Sequence, residues 1–336
     1  MSASASTAYL LVSHGSRDPR PGQGMERLAQ FVRSPEAGLW GGCTHPSDRP
    51  DFRLETKRRS AGVGASLRRA TASDGLRPAA SGLTFTEAGI FRNRVSQPET
   101  VSGPLVGTAC LEAEALPLHQ QIITFSRRAH AAGAQRVRLV PLFLLAGVHV
   151  MEDIPAEVER AQQALPDFAL EVCAHLGSHP GMPGLLHHKL RTTTTEMLIL
   201  LAHGSRRPGG NDSICSLAQA LGGTAAFWAV APSLEAQVIQ QMQSGVQRVA
   251  ILPYFLFAGS TTDAITHLTE ELAERFPPMG FHLLPPLGPS LDLARLVVDL
   301  ALDQVPPKAQ QALVPMQRVA FRHAVYPSSH PSSLVS

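Results

Sequence analysis

The sequence is short of aromatic residues, at 5%, and of charged ones, at 17%. Its four cysteines (Cys43, Cys110, Cys173, Cys215) are scattered and form no C-x-x-C pair. That excludes a disulfide scaffold and a cysteine-type zinc ribbon, and it suits a reducing compartment. The net charge is only +2 over 336 residues, where a protein built to grip nucleic acid shows a strong basic excess. The longest apolar run, 137–150, already contains Arg138 and His149. A bilayer crossing needs ~20 apolar residues, so no membrane span is expected. The N-terminal stretch has no basic n-region and does not read as a secretory signal; the expected location is cytoplasmic. No G-x-x-x-x-G-K-[ST], no G-x-G-x-x-G after a strand and no G-x-S-x-G is present. Nothing therefore points to a nucleotide or to serine-hydrolase chemistry.

What is present is a repeat. YLLVSHGSRDPR (9–20) returns as LILLAHGSRRPG (198–209), and RVRLVPLFLLAGVH (136–149) as RVAILPYFLFAGST (248–261). HLGSHPGMPGLL (175–186) is echoed by PLGPSLDLARLV (286–297). Three matched segments in the same order make an internal duplication. They divide the chain into similar halves, 1–190 and 191–305. A tail, 306–336, ends in YPSSHPSSLVS and reads as disordered.

Each half alternates strands with helices. Expected in the first are strands at 8–13, 106–111, 137–144 and 168–173, with helices at 117–132 and 155–165. The second has strands at 197–202, 225–230, 249–257 and 281–284. Its helices follow a cap at Asn211, run over 233–244 and 264–275, and start again at Ser290. Continuous apolar strands between helices imply an α/β fold, each half a parallel four-stranded sheet with helices on both faces. Ligands in such sheets bind beyond the carboxyl ends of the strands.

From His203 to Ala229 is 26 residues, but from His14 to its counterpart Glu112 is 98. The first half thus carries about 72 extra residues, within roughly 34–104. This segment has ten Lys/Arg against seven Asp/Glu, a net of +3 that leaves −1 for the rest of the chain. With little periodicity, it reads as a disordered surface insertion.

The chemistry falls on histidine. His14 follows the first strand and precedes Gly15-Ser16-Arg17, and His149 ends another apolar strand after the turn Ala146-Gly147. Two such strand ends can converge on one cleft, and neutral imidazoles ligate divalent Fe, Co and Ni and act as bases near neutral pH. Glu112, with Glu114 as its competitor, lies just past the second strand. The second half keeps His203 but has Ala229 opposite Glu112 and Thr261 opposite His149. A site needing two histidines and a carboxylate can therefore exist only in the first half.

On H-G-S-R (14–17), P-L-F-L-L-A-G-V-H (141–149) and M-E-D-I-P (151–155), the chain resembles the sirohydrochlorin chelatase family, in the long two-repeat form of cobalto- and ferrochelatases. The resemblance covers about 8–33, 105–190 and 195–303. It implies two flavodoxin-like lobes facing one another across a cleft. It also implies ATP-independent insertion of Co²⁺ or Fe²⁺ into sirohydrochlorin, in cobalamin or siroheme biosynthesis, with no cofactor beyond that metal substrate. By the same resemblance His14 and His149 bind the metal, His14 accepts protons, and Glu112 is the acidic partner. Gly15, Ser16, Arg17, Glu112, Ala146, Gly147 and Val148 contact the macrocycle. Arg17, helped by Arg20, and the backbone N–H groups of Gly15 and Ser16 suit its peripheral carboxylates. With both lobes in one chain, a monomer suffices. The insertion and Cys110, where a larger apolar residue is usual, depart from the pattern. The competing readings are a non-catalytic metal or tetrapyrrole carrier and a chelatase for another tetrapyrrole, such as protoporphyrin.

Overall fold

A computed structural model describes residues 6–34, 40, 104–191, 193 and 195–303. The expected insertion, apart from residues 34, 40 and 104, lies outside the described residues, and so does the tail. The described residues belong to one compact unit.

Two four-stranded sheets, all parallel, carry the fold. The first has β1 (Thr7–Ser13), β2 (Val106–Cys110), β3 (Arg136–Pro141) and β4 (Ala169–Val172) in the order β2-β1-β3-β4. The second has β5 (Met197–Ala202), β6 (Thr224–Phe227), β7 (Arg248–Pro253) and β8 (Gly280–Leu283) in the order β6-β5-β7-β8. The central strands β1 and β5 are buried along nearly their whole length, as their unbroken apolar runs require of strands covered on both faces. In each sheet the strand order reverses at the first strand, and the crevice that opens there at the carboxyl ends is where a ligand fits.

The helices are α1 (Pro19–Arg33), α2 (Leu118–Ala131), α3 (Ile154–Ala164), α4 (Met182–Leu190), α5 (Asp212–Ala220), α6 (Leu234–Gln243), α7 (Ser260–Arg275) and α8 (Leu291–Ala301). Ser233 and Ser290 cap α6 and α8, their hydroxyls accepting from Ala236 N and Leu293 N. Helix α4 was not expected, since Pro183 and Gly184 weaken its sequence signal. Pro183 falls in the first turn, where the missing N–H costs nothing. Asn211 precedes α5 but does not cap it. Its amide instead accepts from Ser205 N and donates to Ser205 O at 2.8 and 2.9 Å, closing the loop after β5. Strands β3 and β7 stop at Pro141 and Pro253, short of the expected 144 and 257, because the loops that follow turn away to build the site.

The core has three parts. Ile122 and Phe125 of α2 and Ile154 and Val158 of α3 cover one face of the first sheet. Leu234 and Val238 of α6 and Ile265 and Leu272 of α7 cover one face of the second. The two remaining faces share one continuous core, where α1, α4, α5 and α8 lie between the sheets. Each large aliphatic side chain buried there contributes roughly 1.5–3 kcal/mol, so the lobes are joined by packing as well as by the chain. Helix α8, although it belongs to the second repeat, packs on α1 and β3 of the first lobe. Arg138 of β3 donates to Ala301 O at 2.7 Å and to the Asp303 carboxylate at 2.6 Å.

Among the described residues no helix is long and apolar enough to cross a membrane.

Candidate metal centre

Three loops of the first lobe meet at the carboxyl ends of β1, β2 and β3. They bring together His14, Glu112 and His149, whose ligand atoms all lie within 4.8 Å of one another. This is the one such donor group found among the described residues. The imidazoles of His14 and His149 meet edge to face, centroids 4.7 Å apart. Phe143 stands behind both, at 6.4 and 6.2 Å.

Each donor is aimed by its own loop. His14 follows β1 directly, and its Nδ1 lies 3.2 Å from Gly15 O, which leaves Nε2 for a ligand. Glu112 is held because ladder pairing continues past β2: Leu111 N donates to Ser13 O and Glu112 N to His14 O, at 2.9 and 2.8 Å. Gly15 makes that approach possible. Its φ is +91°, and a Cβ there would lie 1.9 Å from Glu112 O. Ala113 takes φ +61° directly after Glu112, a left-handed conformation that L residues adopt at a cost of about 1 kcal/mol or more. Strand β2 is an edge strand, and Gln121 completes its open side. The Gln121 side chain accepts from Cys110 N and donates to Cys110 O and Leu116 O.

His149 does not sit at the strand end, as its apolar surroundings suggested. It opens a π-helical turn, His149–Asp153, that runs into α3. The turn places the Asp153 carboxylate 2.7 Å from His149 Nδ1. A carboxylate on one ring nitrogen fixes the tautomer and makes the other a better ligand, so Asp153 is a positioning residue for His149. The i, i+4 spacing of His149 and Asp153 is the sequence signal for this pair. A surface depression of about 300 Å³ beside the centre is lined by Glu112, Asp153, Glu157 and Arg160, among others.

The remaining expected contacts surround this group. Ser16 and Arg17 are exposed and Gly15 is half-buried on the loop after His14. Ala146, Gly147 and Val148 lead into His149, with Val148 exposed and Met151 open to solvent on the π turn. Glu114 is exposed on the same loop as Glu112 but stands outside the donor group.

Arg20 is used differently from the expectation. Its Nη1 and Nη2 donate to Asp263 of the second lobe at 3.0 and 2.5 Å, and Nε and Nη2 to Asp18 at 3.1 and 2.6 Å. The hydrogen-bonded Arg20 guanidinium pulls the Asp18 carboxyl down to about 2 and lowers Asp263 as well. Arg20 is thus a tie between lobes. His203, the repeat counterpart of His14, is exposed at the matching position, and Ala229 N donates to its carbonyl as Glu112 N does to that of His14. Partial desolvation by its surroundings lowers the His203 imidazole from its ordinary value.

Fold and site together define a two-lobe α/β protein with a donor group able to hold a metal ion at the strand ends of one lobe. The CbiX family model matches residues 93–193 and 197–304, and the chain belongs to that family. His14, upstream of the matched residues, takes its place in the centre through the β1–β2 and β1–β3 register. A sirohydrochlorin ferrochelatase of Priestia megaterium is 27% identical over 154 residues, 42% of this chain and 58% of the relative. A sirohydrochlorin cobaltochelatase of the same organism is 28% identical over 171 residues, 46% of this chain and 55% of the relative. The chain thus spans a little over half the length of these curated relatives. The sirohydrochlorin chelatase SirB of Bacillus subtilis subspecies spizizenii, solved with cobalt, superposes with TM-score 0.56 at 17% identity over 91% of this chain and 98% of that one. SirB from Bacillus subtilis with Fe³⁺ gives 0.58 at 16% over 92% and 98%. These two structures establish the shared two-lobe fold.

Proposed function

We propose that this chain inserts a divalent metal, Co²⁺ or Fe²⁺, into sirohydrochlorin, with no nucleotide and no cofactor beyond the metal substrate. The observation that carries the reading is the convergence of His14, Glu112 and His149 from three loops within 4.8 Å. The Priestia megaterium relatives, named for ferro- and cobaltochelatase activity on sirohydrochlorin, supply the substrate and leave the choice of metal open. Two imidazoles and a carboxylate suit Fe²⁺, Co²⁺ and Ni²⁺ alike. Either metal product fits, siroheme through iron or a cobalamin precursor through cobalt.

The residues divide the work. His149, oriented by Asp153, presents Nε2 to the incoming ion, and His14 and Glu112 complete the face that holds it as its waters leave. The macrocycle must lose two N–H protons when the metal enters. His14, whose Nδ1 is turned to Gly15 O, takes one on Nε2 once the metal has passed from that nitrogen to the ring, and the other leaves to Glu112 or to solvent. General-base help of this kind is worth roughly 10²–10⁴-fold. Val148, with the Ala146-Gly147 backbone, offers an apolar edge to the ring, and Arg17 with the N–H groups of Gly15 and Ser16 offers charge to its carboxylates. The chain works as a monomer in the cytoplasm, with sirohydrochlorin as its partner.

Purified protein, sirohydrochlorin and Co²⁺ or Fe²⁺ should give a shift of the tetrapyrrole absorption bands faster than the spontaneous rate. Replacing His149 by Ala should abolish the acceleration. Stoichiometric binding without turnover would instead mark a carrier, and turnover on protoporphyrin alone would move the substrate.

A further inference from the structure

Two of the arginines that reach across the lobes, Arg20 and Arg207, differ in what they have left to give. Arg20 engages all three guanidinium nitrogens, forked between the Asp18 and Asp263 carboxylates. Asp18, which accepts from Arg20 N as the cap of α1 and also from the Ser260 backbone at the start of α7, is itself locked. The surrounding backbone is closely fitted, with Gly259 against Pro21 and Gly24 under the Phe257 ring. An arginine held this way gives up several charge-assisted hydrogen bonds if it turns to an incoming ligand.

Arg207 is the opposite case. It lies on the loop after β5, four residues past His203, and among the described residues its guanidinium makes one polar contact, Nη1 to Glu152 of the first lobe at 3.3 Å. Its side chain is 42% exposed and that of Glu152 is 62% exposed. An exposed pair with a single long contact is held weakly, so a better carboxylate displaces it. Glu152 sits on the π turn between His149 and Asp153. The pair therefore ties the second lobe to the turn that carries His149, three residues from a metal-donor candidate.

We propose that Arg207 is a carboxylate receptor supplied by the second lobe. In this role it exchanges Glu152 for a peripheral carboxylate of the tetrapyrrole when the substrate enters. This rests on the functional reading above, and it gives the repeat that lacks the metal donors a direct part in substrate recognition. A guanidinium suits the task because its planar fork pairs with a carboxylate through two parallel hydrogen bonds.

The opposite signs of two variants test it. Binding of metal-free sirohydrochlorin is titrated by its absorption bands, and KM and kcat are measured with Co²⁺. Arg207→Gln should weaken binding and raise KM about tenfold, a factor equivalent to ~1.4 kcal/mol, with kcat changed far less. Glu152→Gln removes the competitor and should tighten binding. The double variant should follow Arg207→Gln. Arg248→Gln, at the opposite end of β7, removes the same charge and should leave binding as it was. If Arg207→Gln binds like the parent, or Glu152→Gln weakens binding as a purely structural pair would, the proposal is overturned. Failure of the parent itself to bind sirohydrochlorin would overturn the functional reading and this inference together. Binding without insertion would overturn only the former.

Discussion

The carbonyl oxygen of Glu112 occupies the space that a side chain on Gly15 would need, 1.9 Å from where its Cβ would stand. The two residues are 97 apart in sequence, yet one fixes the other, because the Glu112 N–H donates to His14 O and the whole loop must lie flat against the first. The glycine of H-G-S-R is thus a spacing element of the metal centre.

Gly15→Ala should therefore push the Glu112 loop away. Displacement by about 1 Å can cost 10²-fold in rate. A loss of that order is expected in metal insertion, while circular dichroism stays that of the parent. Activity equal to the parent would remove Glu112 from the donor set.

Asp153→Asn keeps the shape of the side chain but takes away the charge that orients His149. Loss of such a supporting carboxylate typically weakens metal affinity by about 10–100-fold. Titration of Co²⁺ against protein without tetrapyrrole should show this weakening, with the melting temperature little changed. Unaltered affinity would mean that His149 does not bind through the nitrogen Asp153 leaves open.

Ala113→Gly should relieve the left-handed strain beside Glu112. The expected gain is at most about 1 kcal/mol, because relief of the left-handed cost is partly offset by the freedom glycine adds to the unfolded chain, read as a higher denaturant midpoint with an unchanged slope. A destabilised variant would show that the Ala113 methyl packs better than its φ suggests.

His179 makes a pH prediction. It is buried at 4% exposure, its Nδ1 accepts from Gly181 N, and its Nε2 has no hydrogen-bond partner among the described residues, the Asp299 carboxylate lying 3.8 Å away. Burial depresses it from 6.5 to about 4. The neutral form is the folded form, so this contribution is complete above pH 6.5 and is lost as the pH falls toward about 4. The loss is at most about 1.4 kcal/mol for each pH unit across which only the unfolded chain holds the proton. The slope measured by chemical denaturation between these limits should fall by up to that amount in His179→Gln. An equal slope in the variant would place the pH dependence elsewhere.

The sheets, most helices and the repeat were legible, because buried parallel strands write themselves as apolar runs and the duplication states its own boundaries. So were His14, Glu112 and His149, since strand ends in such sheets are where donors can meet. Asp153 and Gln121 were not, because their value depends on a π turn and on an open sheet edge that apolar periodicity does not encode. The sequence alone assigns Arg20 to substrate carboxylates. Its partner, Asp263, lies 243 residues away, and local pattern carries no information about such pairs. Nor could an amphipathic pattern say which sheet α8 would cover.

That last helix has a consequence for how the chain holds together. Because α8 covers β3 and α1 of the other repeat, neither half keeps a complete set of coverings when taken alone. Cutting the connection between α4 and β5 would leave two pieces that are each other's missing surface. The duplicated halves are bound to unfold as one cooperative unit, and separated fragments to seek each other out before either is stable.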